Sequence, residues 1–137
     1  MAVSPRNYPT FKGVQYETQT IAPDDSQEVA NSIKPGVKSV RLIANVNDAN
    51  DFVVLPSLAS VQNGHTITII AGSAANCELR TPAASGEEIN SEDCDGTKEA
   101  LLTATNIYTV IKIDNTIGWC LIGHTAIGAY ETAIVPD

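Results

Sequence analysis

The histidine and cysteine side chains are the first candidates for a metal site or for reactive thiols. The chain contains two histidines, His65 and His124, and three cysteines, Cys77, Cys94 and Cys120. A zinc site needs three or four ligands, and no His/Cys cluster with metal-ligand spacing supplies them. The sequence therefore predicts no metal site. Free thiols are predicted for the cysteines, with one disulfide between Cys77 and Cys94 as the alternative.

An acid-rich run at residues 87–99 is the second candidate. Asp93, Asp95 and Gly96 match the third, fifth and sixth positions of the EF-hand calcium loop. Leu102, however, stands where the bidentate glutamate of that loop belongs. The run is therefore predicted to be an exposed, solvated loop without a bound metal.

Glu87 and Glu88 form the one carboxylate pair that resembles a hydrolase site. Adjacent residues of an extended chain point to opposite faces, so the two carboxylates cannot flank one glycosidic bond. The sequence also lacks a nucleophile elbow, a phosphate loop and a dinucleotide fingerprint. We therefore predict no catalytic residues, no cofactor and no enzyme activity.

Short apolar runs closed by turn residues form the elements that must position any site. Residues 52–55 are apolar on both faces and stop at Pro56, as expected for a strand inside a sandwich. Asn63 and Gly64 form a turn signal ahead of a strand at residues 66–70. Seven or eight such strands are predicted, with at most one short helix. This count indicates an all-β sandwich or barrel.

The strand at residues 107–113 alternates in character, which predicts one core face. A turn then returns the chain into Trp119 and completes a hairpin. Tyr108, Ile111 and Trp119 are predicted to pack in the core or at a trimer contact. The alternative for Trp119 is a sugar-stacking platform. The last apolar stretch, residues 126–135, is predicted to be an edge strand or an intersubunit tail.

The beginning of the chain differs from the rest. Residues 1–36 contain four prolines and are predicted to form an extended arm, and residues 37–137 are predicted to form the β-domain. Tyr8, Phe11 and Tyr16 are three of the seven aromatic residues in the chain, whereas disordered segments are poor in aromatics. We therefore expect this arm to bury its aromatic side chains against a partner.

The net charge of −8 is unevenly distributed. Residues 1–41 carry five basic and four acidic side chains, and the remainder carries three basic and twelve acidic ones. An acidic surface repels phosphate backbones, so nucleic acid is not an expected partner. No apolar run approaches the ~20 residues that would cross a bilayer, and the first residues do not resemble a secretory signal. Synthesis in the cytoplasm, without membrane attachment, is expected.

Several short motifs occur in order within residues 51–123, together with the strand at residues 108–113. The motifs are Val54-Leu55-Pro56, Gly64-His65-Thr66-Ile67-Thr68-Ile69, Pro82 with Ser85-Gly86-Glu87-Glu88-Ile89-Asn90, and Gly118-Trp119. This series resembles small β-rich virion proteins of tailed bacteriophages, and in particular the head-decoration (capsid cement) proteins. The resemblance implies a single β-sandwich or β-tulip-like domain, commonly a homotrimer, that clamps neighbouring subunits of the major capsid protein on the outer capsid surface.

The same resemblance implies that the N-terminal arm contacts the capsid. The expected contact residues are Tyr8, Phe11, Lys12 and Tyr16. The near-neutral arm suits docking on another protein, and the acidic head suits an outer face in water. A receptor- or glycan-binding module of a phage fibre is the alternative function.

Overall fold

A computed structural model describes residues 17–26, 28–43, 50–72, 77–96, 98–124 and 136 of the chain. Among these described residues, the short helix α1 (Glu28–Asn31) and the 3-10 turn at Leu58–Ser60 accompany the strands. The strands are β1 (Glu17–Ile21), β2 (Val37–Leu42), β3 (Phe52–Val54), β4 (Thr66–Ala71), β5 (Cys77–Arg80), β6 (Glu88–Ile89), β7 (Glu92–Asp93), β8 (Ala100–Leu102), β9 (Ile107–Asp114) and β10 (Gly118–His124). Within these ranges, no helix is long and apolar enough to cross a membrane.

The strands form two sheets. The larger sheet has the order β1-β2-β4-β9-β10-β6-β7, and the smaller one has the order β3-β5-β8. Side chains from both sheets form one buried cluster, which includes Val40, Ile67 and Leu121 from the larger sheet and Leu79 and Leu102 from the smaller. The predicted all-β, sandwich-like domain is confirmed.

Strand β9 is central to the larger sheet, between β4 and β10. Its side chains alternate as the sequence predicts, and the buried face carries Tyr108, Val110 and Lys112. Ile111 lies half-buried on the opposite face, with Ile113 more exposed. The core side of β9 therefore carries a lysine, and hydrogen bonds to two backbone carbonyls satisfy its ammonium group.

Residues 17–36 belong to the domain rather than to an extended arm. Strand β1 pairs with β2 in parallel, and Ile33 is buried in the core. The backbone of this segment also covers β3, which is an edge strand of the smaller sheet: the Phe52 amide donates to the Asp24 carbonyl, and the Ile33 amide donates to the Val54 carbonyl. An exposed edge strand is an aggregation hazard, and these backbone bonds cover the open edge of β3, whose three residues are all buried.

The acid-rich run is a hairpin rather than an exposed loop. Strands β6 and β7 pair there, and both Ile89 and Cys94 are fully buried. The side chain of Asn90 joins this hairpin to β10, since its amide donates to the Leu121 carbonyl and its oxygen accepts from the Leu121 amide. The buried side chains of Ile89 and Cys94 therefore hold this acid-rich run against the core.

Candidate binding site

The loop between β3 and β4 is held by a buried lysine. Lys112 is 3% exposed, and its ammonium group donates to the Leu58 carbonyl at 2.6 Å and to the Val61 carbonyl at 2.8 Å. A buried ammonium is costly unless its donors are satisfied, and these two carbonyls supply partners for it. Lys112 therefore fixes both ends of the 3-10 turn.

Glu87 holds the same turn from the other side. One oxygen of its carboxylate accepts the Leu58 amide at 2.9 Å, and the other oxygen is buried with no hydrogen-bond partner. Burial raises the pKa of Glu87, while the Leu58 amide and the Lys112 charge act in the opposite direction. The loop is thus anchored by two ionisable side chains, neither of which is on it.

Backbone hydrogen bonds complete the anchoring of the loop. The Gly64 amide donates to the Lys112 carbonyl at 2.7 Å, and the Lys112 amide donates to the His65 carbonyl at 2.9 Å. Gly64 has φ +84°, in the left-handed region that suits glycine, which confirms the turn predicted at this position. His65 therefore has a fixed backbone at the start of β4.

His65 bridges the loop to strand β2. Its Nδ1 is 3.1 Å from the Lys38 Nζ, and its Nε2 is 3.2 Å from the Val37 carbonyl oxygen. An ammonium group can only donate, so Nδ1 accepts and the proton resides on Nε2, which donates to the carbonyl. Burial and the Lys38 charge lower the pKa of His65, against the smaller effect of the Val37 carbonyl.

An open pocket of about 420 Å³ lies beside this histidine. Its walls are the Pro35–Gly36 turn, Lys38 and residues 60–65. Of the described residues that form these walls, Lys38 is the sole one with a formal charge at neutral pH, in a chain of net charge −8. The pocket is therefore a locally non-acidic part of an acidic protein.

A second pocket, of about 260 Å³, lies on the Glu87 side of the loop. Glu87, Glu88 and Ser85 line it together with the 3-10 turn. Glu87 and Glu88 therefore line one pocket, although adjacent residues of an extended chain were expected to point to opposite faces.

The outer face of the larger sheet is the third surface feature. Thr109, Ile111 and Ile113 follow Ile107 at alternate positions of β9, and cross-strand partners lie on the same face as these residues. We call this set the outer face: Thr18, Thr20, Ser39, Arg41, Thr66, Thr68, Ile70, Ile107, Thr109, Ile111, Ile113, Cys120 and Ile122. It contains one basic residue and no acidic one, and Ile70, Ile107 and Ile113 are each about 40% exposed.

The residues predicted to carry function have separate locations. Trp119 and Tyr108 are buried at 1% and 2% exposure, and Ile111 is on the outer face. The Trp119 indole N–H is buried without a hydrogen-bond partner, so this ring is not a sugar platform. The four expected capsid contacts of the arm lie outside the described residues: Tyr8, Phe11, Lys12 and Tyr16.

The cysteines are free thiols, and the alternative of a Cys77–Cys94 disulfide is not realised. Burial and nearby carboxylates raise the pKa of Cys77 to about 12, and burial raises that of Cys94 to about 11. Both are therefore protonated and unreactive near neutral pH. Within the described ranges, no three His, Cys, Asp or Glu side chains are grouped so that they could hold a metal ion.

Comparisons with known proteins return no relative. No protein-family model matches the chain, and searches of curated proteins and of solved structures gave no match. Sequence reasoning did not single out Lys38, His65 and Lys112 as a group that meets at this loop. The available signal for Lys112 was its position in β9, where it follows Tyr108 and Val110 at alternate residues on one face.

Proposed function

We propose that the protein is a viral capsid decoration protein, which binds the outer surface of the major capsid protein lattice and stabilises the head. The motif resemblance over residues 51–123 supports the proposal, as does the compact all-β domain. A homotrimer is part of it, because several weak contacts made together by one particle raise the avidity for a lattice.

The outer face is the observation that carries the proposal. Acidic side chains outnumber basic ones two to one in this protein. A partner surface that is also acidic would therefore be repelled, except by a face of the domain that carries no acidic side chain. The outer face meets that condition and adds exposed isoleucines, which are the kind of residues that a protein interface buries. We infer that the domain docks with this face, while the arm residues Tyr8, Phe11, Lys12 and Tyr16 add further contacts.

The test is a co-sedimentation assay with capsids that lack their decoration protein. Ile107→Lys and Ile113→Lys introduce a charge on the outer face without changing the core. We expect each to weaken capsid binding roughly tenfold or more, since an unpaired charge at an interface costs about 1–3 kcal/mol or more. The temperature at which heated capsids release their contents measures head stabilisation in the same samples.

Ile117→Lys is the matched control, because Ile117 is 52% exposed in the β9–β10 turn and is not on the outer face. It should bind capsids as the wild type does. Wild-type protein that does not sediment with capsids would refute the proposed function. Equal binding by all three variants would refute the docking face.

The alternative function, a glycan-binding fibre module, would use exposed aromatic rings as stacking platforms. In the described part of the chain, Phe52, Tyr108 and Trp119 are all buried. Nothing in these ranges therefore favours that alternative over capsid decoration.

A further inference from the structure

We propose that the pocket beside His65 is a binding site for a small oxyanion, a carboxylate or a phosphate, held by the ammonium group of Lys38. The inference is independent of capsid docking, because it concerns a different surface. It rests on three observations: the charge of the pocket walls, the hydrogen bonds of Lys38 and His65, and the rigidity of the loop.

The charge of the walls selects an anion. Lys38 contributes a positive charge, and Gln62 and Asn63, whose side chains carry amide donors, line the same pocket. The described residues that line the pocket include no carboxylate. An anion that enters this site therefore meets a charged donor and no carboxylate among the described wall residues.

The hydrogen bond between Lys38 and His65 orients the ammonium group. His65 accepts from it at 3.1 Å and is itself fixed by its bond to the Val37 carbonyl. The imidazole is neutral in this arrangement, so it directs Lys38 without adding a charge. An anion beside the ring would stabilise the imidazolium form, and by linkage a protonated His65 would bind the anion more tightly.

The pocket wall is pre-organised. Residues 58–65 are held by the Lys112 ammonium from within the core and by Glu87 from the far side. A ligand therefore does not have to order this loop on binding, which removes a usual entropic cost of association.

Glu17 places a carboxylate beside the Pro35–Gly36 wall of the pocket. Its carboxylate lies beside Gly36, since a Cβ atom added to Gly36 would be 3.3 Å from the Glu17 Oε2. It sits at the rim and weakens the field of Lys38 there. Removal of this carboxylate should thus strengthen anion binding, the opposite of removing Lys38.

The experiment is an NMR titration of the full chain with sodium phosphate, and separately with N-acetylaspartate N-methylamide as a side-chain carboxylate, at constant ionic strength. The imidazole resonances of His65 should shift saturably, and the pKa of His65 should rise on binding. The backbone amide of Ile107 is the internal reference, because Ile107 lies five residues along β9 from Lys112, the residue bonded to His65, which is a distance of about 17 Å. The probe that binds more tightly shows whether the site prefers a phosphate or a side-chain carboxylate.

Lys38→Met should weaken binding roughly tenfold or more, because it removes a charged donor. Glu17→Gln should strengthen it, and Lys98→Met, which removes a lysine from an exposed pair with Glu92, should leave it unchanged. Far-ultraviolet circular dichroism checks that each variant is folded. The proposal is overturned if neither anion shifts His65 in the wild type, or if folded Lys38→Met binds as well as Lys98→Met.

Discussion

Two cations have different roles at the scale of single residues. Lys112 is buried and acts structurally through two backbone carbonyls, whereas Lys38 lines a pocket and contacts His65. Their side-chain chemistry is identical, and the difference is set by what surrounds each ammonium group. Substitutions at the two sites should therefore affect different properties of the protein.

Lys112→Met is expected to lower the free energy of unfolding by about 2 kcal/mol or more, because the Leu58 and Val61 carbonyls lose a charged donor. Urea denaturation followed by the fluorescence of Trp119 measures the change. Lys98→Met, at an exposed position, is the control and should not alter the midpoint. A Lys112→Met protein as stable as the wild type would mean that the ammonium group is not needed by the loop.

The pH dependence of stability should report His65. Its pKa is lowered from 6.5 in the folded state, so the unfolded chain takes up a proton first as the pH falls. The contribution of this group to stability is thus present above about pH 6.5 and is lost as the pH falls from there to the folded-state pKa. His65→Asn should remove this part of the pH slope between pH 7 and pH 5, as measured by urea denaturation at each pH. An unchanged slope would show that His65 titrates alike in both states.

At the scale of elements, the attachment of the β6–β7 hairpin depends on close backbone approach. Gly118 begins β10 with φ +83°, and a Cβ atom added there would meet the Glu88 carbonyl oxygen of β6. The register of β10 on β9 also shifts between Gly118 and Trp119, which is where the chain turns to follow β6. The conformation and the contact both require glycine at this position.

Gly118→Ala and Gly64→Ala separate these two requirements. Gly64 has nearly the same φ, +84°, but nothing lies within 4 Å of an added Cβ atom. We expect Gly64→Ala to cost about 1–2 kcal/mol from backbone strain alone. Gly118→Ala should cost about 1–3 kcal/mol more, because the hairpin must move. The two free energies of unfolding measure the difference, and equal losses would argue against the close contact.

At the scale of the whole molecule, the N-terminal boundary of the domain decides how the arm can be tested. Strand β1 lies at one edge of the larger sheet, and Ile21 at its end is 3% exposed. The Ile43 amide also donates to the Ile21 carbonyl at 3.0 Å. A truncation meant to remove the proposed capsid contacts must therefore stop before residue 17.

Two truncations distinguish the arm from the domain. Deletion of residues 1–15 keeps every described strand and should give cooperative unfolding with weaker capsid binding. Deletion of residues 1–21 also removes β1, and loss of the buried Ile21 side chain alone should cost about 1.5–3 kcal/mol. Thermal denaturation and co-sedimentation with capsids measure the two effects. Full capsid binding after deletion of residues 1–15 would show that Tyr8, Phe11 and Lys12 are not required contacts.

The sequence determined the elements of this protein, because the signals for them are local. Turn chemistry at Asn63 and Gly64, alternation along β9 and the break at Pro56 each depend on a few neighbouring residues. From such signals most of the strands and the all-β class could be predicted. The β6–β7 hairpin was missed because the charged residues around it outnumber the two buried apolar side chains, Ile89 and Cys94, that hold it against the core.

Only the tertiary structure decided which faces are buried and which side chains meet. Period-two alternation does not state which face of β9 is the core, and the face with Lys112 is buried because carbonyls of a loop more than 50 positions away satisfy its ammonium group. Lys38 and His65 are 27 positions apart and meet because β2 and β4 are neighbours in the sheet. Contacts of this kind depend on the order of strands, which local sequence patterns do not encode.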